Sequence, residues 1–310
     1  MARSVPSSST SSSPSCTGSA PTPCLATRGT SSGASLLPET RLPNGVRIHW
    51  REAGDPRKPA IVWIHGGSVE DSSVMLPDLE PFSGRVRALV PDTRGHGLST
   101  KFERPEDYTY ARKLEDLLLW LAALGVDAAV WGGASMGAAL SLWAAAHASA
   151  RVRAVISISG PPYAAPPEDR SWWAAHRPLV EAGRFEDYFD ANVRLRMGEE
   201  ALQRLKRRPE RYAELTARLR LHSVASLLAL LDETYSRVDW LTDCGRIHCP
   251  VQIIAGSEDR FPTLAMSRRL AATIPGARLH VVEGGPHFPN RSHRTEVQRV
   301  MADFLEGLGI

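Results

Sequence analysis

The chain has 310 residues, 43% of them hydrophobic, and 37 Lys and Arg against 34 Asp and Glu leave a formal net charge of +3. That length and apolar content support one domain with an insertion, and the near balance of charge argues against nucleic acid as a partner. No apolar run approaches the ~20 residues of a membrane helix, and Cys16, Cys24, Cys244 and Cys249 are too few to staple so long a chain, so a soluble, cytoplasmic protein in a reducing compartment is expected.

Residues 1–38 are dominated by Ser, Thr, Pro, Gly and Ala with no acidic residue, and they cannot bury enough apolar surface to offset the entropy of ordering them. They read as a disordered tail. A Ser-rich, acid-poor leader carrying Arg3 and Arg28 also has the composition of an organellar transit peptide, but a solvated extension is the simpler account. The fold begins at Leu42-Pro43-Asn44-Gly45-Val46, where an Asn-Gly turn precedes an alternating strand.

Short, nearly continuous apolar runs follow at 60–64, 86–90, 128–131 and 152–158, of the kind buried on both faces of a parallel sheet. Helical patterns fill the gaps at 110–124 and 136–147, and this alternation predicts a doubly wound, mostly parallel α/β sheet. Residues 161–243 break the rhythm with a Pro-rich start, then helical stretches such as 212–235 and no convincing strand, so they read as a helical insertion. Strands resume at 251–255 and 278–282, and 295–308 closes the chain as an amphipathic helix. The expected organisation is therefore a core of 39–160 and 244–310 interrupted by a helical lid over 161–243.

Ligand sites in open parallel sheets gather beyond the carboxyl ends of the strands. After the run ending at Val130-Trp131 comes Gly132-Gly133-Ala134-Ser135-Met136-Gly137, a Gly-x-Ser-x-Gly turn leading straight into a helix. Such an elbow exposes the Ser135 hydroxyl and presents backbone N–H groups to a developing negative charge. After Ile64 comes His65-Gly66-Gly67-Ser68. An N–H of Gly67 or Ser68, together with that of Met136, would make an oxyanion hole, whose donors typically supply roughly 3–4 kcal/mol each.

A serine hydroxyl needs an imidazole to take its proton, and the imidazole needs a carboxylate to fix its tautomer. His287 follows the run 278–282 and Asp259 the run 251–255, giving the order Ser, Asp, His. Glu258 is the nearest rival acid, and Asp259 is preferred because it lies further into the loop. His65 and His96 sit in glycine turns where a structural hydrogen bond is the commoner role. Cys244 and Cys249, with His248 between them, lack the second pair that a metal site needs, and ordinary packing is the expected role.

Taken together, His65-Gly66-Gly67, Asp92-Thr93-Arg94-Gly95-His96-Gly97-Leu98-Ser99, Gly133-Ala134-Ser135-Met136-Gly137, Gly256-Ser257-Glu258-Asp259 and Gly284-Gly285-Pro286-His287 resemble the α/β-hydrolase superfamily in its lidded branch of small serine hydrolases, over about residues 40–308. The resemblance implies catalysis by Ser135, Asp259 and His287 on a small-molecule ester, lactone or thioester, without metal or organic cofactor. It also implies that Asp92, Arg94 and Ser99 shape the pocket floor rather than react. Relatives that open epoxides or remove halogens carry Asp at the elbow, so Ser135 disfavours those reactions. The Ser-Met-Gly form is similar to enol-lactonases, carboxylesterases, cofactor-free perhydrolases and some carbon–carbon bond hydrolases. Perhydrolysis, acyl transfer or carbon–carbon cleavage on the same residues is the alternative chemistry, and a non-catalytic ligand binder the alternative class. Pro286 departs from the small residue usual before the histidine.

Within the insertion, Tyr163, Trp172, Trp173, Phe185, Tyr188 and Phe189 offer aromatic surface for an apolar pocket, though most are expected to hold the lid together. Arg204, Lys206, Arg207, Arg208 and Arg211 form a basic run expected to be a solvated helix face, so no charge is assigned to the substrate.

Overall fold

A computed structural model describes residues 38–67 and 70–310. The tail assigned to 1–38, with Cys16 and Cys24, lies outside the described residues apart from Pro38, as does Ser68.

Eight strands form one sheet: β1 (Glu39–Arg41), β2 (Arg47–Gly54), β3 (Ala60–Ile64), β4 (Arg87–Pro91), β5 (Ala129–Ala134), β6 (Val152–Ile158), β7 (Val251–Gly256) and β8 (Arg278–Val282). Their spatial order is β1-β2-β4-β3-β5-β6-β7-β8. The first two strands pair antiparallel around the Asn44-Gly45 turn and β2 pairs antiparallel with β4, whereas every later pairing is parallel. This is the expected doubly wound, mostly parallel sheet, with an antiparallel edge.

The helices are α1 (Leu76–Leu79), α2 (Tyr110–Ala123), α3 (Met136–His147), α4 (Pro167–Glu181), α5 (Phe185–Met197), α6 (Glu199–Lys206), α7 (Pro209–Leu219), α8 (Val224–Ser236), α9 (Leu264–Thr273), α10 (Pro289–Ser292) and α11 (Arg294–Gly307). Alternate strand residues feed two cores. Val62, Ile64 and Trp131 pack with Leu117, Leu121, Leu140 and Leu270 on the side of α2, α3 and α9. Ile61, Trp63 and Val130 pack with Leu79, Met301 and Phe304 on the side of α1 and α11. Burial on both faces is the reason these strands read as unbroken apolar runs.

The segment between β6 and β7 is helical from α4 to α8 and has a third core of its own, built on Trp173, Tyr188, Phe189, Leu202, Leu219 and Leu231. The single helix expected over 212–235 is two. The last turn of α7 ends at Leu219, and Ser223 starts α8 afresh by accepting from the Ser226 N–H. A serine that can satisfy an orphan N–H favours a helix start over continuation. Helix α9, capped by Thr263, is absent from the sequence expectation because its apolar positions are sparse. No helix among the described residues is long and apolar enough to cross a membrane.

The loop after β4 is fixed by charge. Asp116 on α2 accepts from Arg94 Nε at 2.6 Å and Nη2 at 2.7 Å, and from Asn44 Nδ2 in the hairpin turn at 2.9 Å. Both ions are buried. Asp92 accepts from the backbone N–H groups of Ser72 at 2.7 Å and Leu98 at 3.0 Å, and its Oδ2 lies 2.7 Å from His49 Nδ1. Burial alone would raise its pKa, but these partners outweigh it and hold the carboxyl at about 2.

Truncating Asp116 leaves the Arg94 guanidinium buried without its counter-charge. Asp116→Ala is expected to lower the free energy of unfolding by about 3 kcal/mol in urea titrations at neutral pH.

Candidate active site

Strand β5 ends at Ala134 and α3 begins at Met136, so the reversal from strand to helix falls on Ser135, with φ 53° and ψ −115°. A left-handed non-glycine residue costs on the order of 1 kcal/mol or more and persists only where its surroundings over-determine it. Here the Ser135 N–H donates to the Ile158 carbonyl at 2.8 Å and its carbonyl accepts from the Ala139 N–H at 3.0 Å. The flanking glycines are a matter of space: a Cβ on Gly133 would stand 2.0 Å from the Ile64 carbonyl oxygen, and one on Gly137 2.2 Å from the same atom. The elbow's N–H groups are not all available, as the sequence suggested. That of Ser135 is spent on Ile158, whereas that of Met136, first in the helix, has no intrahelical acceptor.

The loops after β7 and β8 bring two further groups to Ser135. His287 Nε2 lies 2.9 Å from Ser135 Oγ, and His287 Nδ1 lies 2.9 Å from Asp259 Oδ2 and 3.1 Å from Oδ1. A carboxylate beside Nδ1 places the ring proton there and leaves Nε2 as acceptor for the serine hydroxyl. Asp259 and His287 are both buried, whereas Glu258 is exposed. The two loops touch through their backbones: a Cβ on Gly256 would lie 2.1 Å from the Gly285 carbonyl oxygen and 2.5 Å from that of Pro286. The residue before His287 thus packs through its carbonyl, which proline retains.

Gly67 and Met136 border the same cavity as Ser135 and His287, and a Cβ on Gly67 would fall 3.8 Å from that of Met136. His65 anchors the preceding turn. Its Nδ1 lies 2.6 Å from the Gly66 carbonyl, and its Nε2 accepts from the Thr93 N–H at 3.1 Å. Its ring sits 4.5 Å from that of His96, whose pKa burial pushes well below the ordinary value. Glu70 adds a contact that sequence reasoning missed. It accepts from the Gly66 N–H at 2.9 Å and pairs with Arg291 of α10. Burial works to raise the Glu70 pKa, but Arg291 and the Gly66 N–H together bring it below the usual value. The carboxylate therefore stays ionised, tying the Gly66-Gly67 turn to α10.

The cavity above Ser135 encloses ≈ 730 Å³. Of the aromatic residues singled out in the insertion, Tyr163 and Phe189 line it, while Trp172, Trp173, Phe185 and Tyr188 belong to the helical segment's core. Asp92, Arg94 and Ser99 do not reach it, which corrects the expectation that they form its floor. Their polar groups are spent on one another and on neighbouring elements, Arg94 on Asp116 of α2, Asp92 on His49 of β2, and Ser99 Oγ donating to the Asp92 carbonyl at 2.7 Å. The basic run is likewise not simply a solvated face: Arg204, Arg207, Arg208 and Arg211 border the cavity, and Lys206 turns instead to Asp190. Among the described residues no group of three or more His, Cys, Asp or Glu is disposed to hold a metal ion. Cys244 and Cys249 are free thiols, that of Cys244 pushed up to about 12 by burial.

Comparison with known proteins follows the same lines. The profile of a family described as the alpha/beta hydrolase family matches residues 61–300. A protein designated a non-heme chloroperoxidase in Synechocystis sp. is 28% identical over 277 residues, covering 82% of this chain and 92% of that one. A pimeloyl-[acyl-carrier protein] methyl ester esterase of Chromobacterium violaceum is 28% identical over 260 residues, covering 80% and 94%. The crystal structure of the enol-lactonase from Burkholderia xenovorans LB400 superposes with a TM-score of 0.75 at 25% identity, covering 87% of this chain and all of that one.

Replacing Arg291 strands a buried carboxylate, so Arg291→Met is expected to cost about 2–3 kcal/mol at pH 7. Wild-type Glu70 titrates below its unfolded value, so its contribution is present above about pH 4.5 and fades as the pH falls. The stability gap between the two proteins, read from urea titrations, should therefore shrink from pH 7 to pH 4.

Proposed function

The chain belongs to the alpha/beta hydrolase family, and we propose that within it the protein is a serine hydrolase cleaving a small-molecule ester, lactone or thioester through an acyl-enzyme on Ser135. The observation that carries this reading is the unbroken chain of contacts from Ser135 Oγ through the His287 ring to the buried Asp259 carboxylate. Three groups in that relation solve one chemical problem, the activation of a weak nucleophile at neutral pH.

In the proposed reaction His287 Nε2 takes the hydroxyl proton as Ser135 Oγ attacks the carbonyl carbon. Asp259 stabilises the imidazolium that results. The negative charge moves to the carbonyl oxygen, where the Met136 N–H at the start of α3 and an N–H of Gly67 or Ser68 receive it, aided by the positive end of the helix. Collapse expels the alcohol, enol or thiol, which leaves with the proton from His287. Water then enters, gives a proton to the same nitrogen and attacks the acyl carbon, and a second collapse releases the acid and restores Ser135.

The helices α4–α8 act as a lid in this reading. The support is that Phe189 and Val193 of α5 and Leu231 of α8, with Tyr163 of the connection between β6 and α4, wall the cavity that holds Ser135. Apolar walls exclude water, which strengthens every electrostatic contact at the carbonyl. The enol-lactonase and the methyl ester esterase among the relatives act on bonds that fit this chemistry.

A fluorophosphonate probe is expected to label Ser135 covalently in the wild type. Ser135→Ala should lower turnover of short p-nitrophenyl esters by at least about 10³-fold, and Asp259→Asn by about 10³–10⁴-fold. A folded protein that resists the probe sinks the proposal.

The resemblance to the chloroperoxidase supports a second use of the acyl-enzyme, with hydrogen peroxide replacing water as acceptor. Turnover of an acetate ester in the presence of peroxide should then yield peracetic acid in competition with acetate, resolved by product analysis. Acetate alone at high peroxide leaves hydrolysis as the reaction.

A further inference from the structure

The cavity above Ser135 is unusual in its charge. Eight of its lining residues are arginines, against the carboxylates Glu70 and Asp169. A guanidinium remains charged at any pH a protein survives, so these groups set a permanent field.

Most of them are neutralised locally. Arg196 pairs with Asp169 at 2.8 Å, Arg237 with Glu233 at 2.6 Å, and Arg291 with Glu70. Arg218 reaches Asp71 at 2.9 Å and shares Glu214 with Arg211, while Arg204 meets Glu200 at 3.3 Å. The remaining two, Arg207 and Arg208, have no carboxylate within 4.0 Å among the described residues. They occupy the connection between α6 and α7 and are exposed.

One of the paired arginines also keeps an unmet donor. The Arg218 side chain is only 9% exposed, and its Nη1 is buried without a hydrogen-bond partner. A buried donor left unpaired costs on the order of 1–3 kcal/mol, and an acceptor brought in by a ligand recovers it. The pair Arg291–Glu70 is balanced, whereas the Glu233 beside Arg237 also has Lys113 at 4.0 Å, a buried amine outside the cavity lining whose pKa burial brings down to about 7. The guanidinium groups without a carboxylate partner thus sit at the α6–α7 end of the cavity, with apolar wall such as Val193, Leu205 and Leu215 also lining it.

We propose that the substrate of this site carries an anionic group, a carboxylate or a phosphate, remote from its scissile carbonyl, and that Arg207 and Arg208 bind that group. This rests on the reading of Ser135 as nucleophile only for the position of the carbonyl. Both anions present the oxygen pairs that a guanidinium fork matches, and both gain from a field focused by low-dielectric walls.

The test is isothermal titration calorimetry on the full-length Ser135→Ala protein with monomethyl adipate, dimethyl adipate and coenzyme A. At least one anionic ligand should bind about tenfold more tightly than the neutral diester at ~50 mM salt, with the preference shrinking at ~0.5 M as screening shortens. Preference for the monoester alone identifies a carboxylate site, and preference for coenzyme A alone a phosphate site. Adding Arg207→Gln and Arg208→Gln should cut the preference at least about threefold. The proposal is overturned if neither anion outbinds the diester, or if the preference survives the double substitution unchanged. Labelling of the wild type by the fluorophosphonate probe, with no anion preference in Ser135→Ala, would overturn this inference alone. Anion preference without labelling would overturn the nucleophile and leave the anion site standing.

Discussion

Everything in this fold that bears on chemistry depends on how closely the start of α3 approaches β3. The carbonyl oxygen of Ile64 leaves no room for a Cβ at either Gly133 or Gly137, and that contact wedges the helix against the sheet. Ser135, between the two glycines, is left with a left-handed backbone that a relaxed turn would not hold. The cost is spread over the surrounding packing: the Ile158 carbonyl accepts the serine N–H, the Ala139 N–H donates to the serine carbonyl, and the carboxyl-terminal parts of the flanking strands, 61–64 and 154–158, are buried. A residue in so costly a backbone conformation persists only where its surround is rigid, and the same rigidity fixes where its hydroxyl stands.

Two kinds of electrostatics coexist around that point. The loop after β4 and the Gly66-Gly67 turn are held by buried, mutually satisfied charges, Arg94 with Asp116 and Arg291 with Glu70, which fix position without presenting a field to the cavity. The α6–α7 connection is the opposite, with the guanidinium groups of Arg207 and Arg208 meeting no carboxylate among the described residues.

The sequence made the sheet legible because strands buried on both faces must be apolar throughout, and the motifs at their ends legible because each needs particular residues at fixed spacing. Ser135, His287 and Asp259 lie 152 and 28 residues apart along the chain yet within hydrogen-bond reach, since successive parallel strands deliver their ends to one edge. What escaped was whatever depends on partners across elements. The split at Leu219 turns on Ser223 capping α8, and α9 presents too few apolar positions to announce itself. Glu70 and Arg291 meet from segments 221 residues apart, with no periodicity to link them. The basic run over 204–211 was visible as charge, but whether it faced water or a cavity depended on how α6 and α7 fold back.

The helical segment keeps its own apolar core, separate from the two that flank the sheet. Packing defects propagate through shared contacts, so substitutions in one core couple weakly to those in another. Substitutions in that core away from α8 and its cap Arg237, which meet Tyr108, Tyr110 and Lys113, can therefore accumulate with little effect on the turn at Ser135. Lineages descending from this chain would then diverge in what they recognise far faster than in how they react.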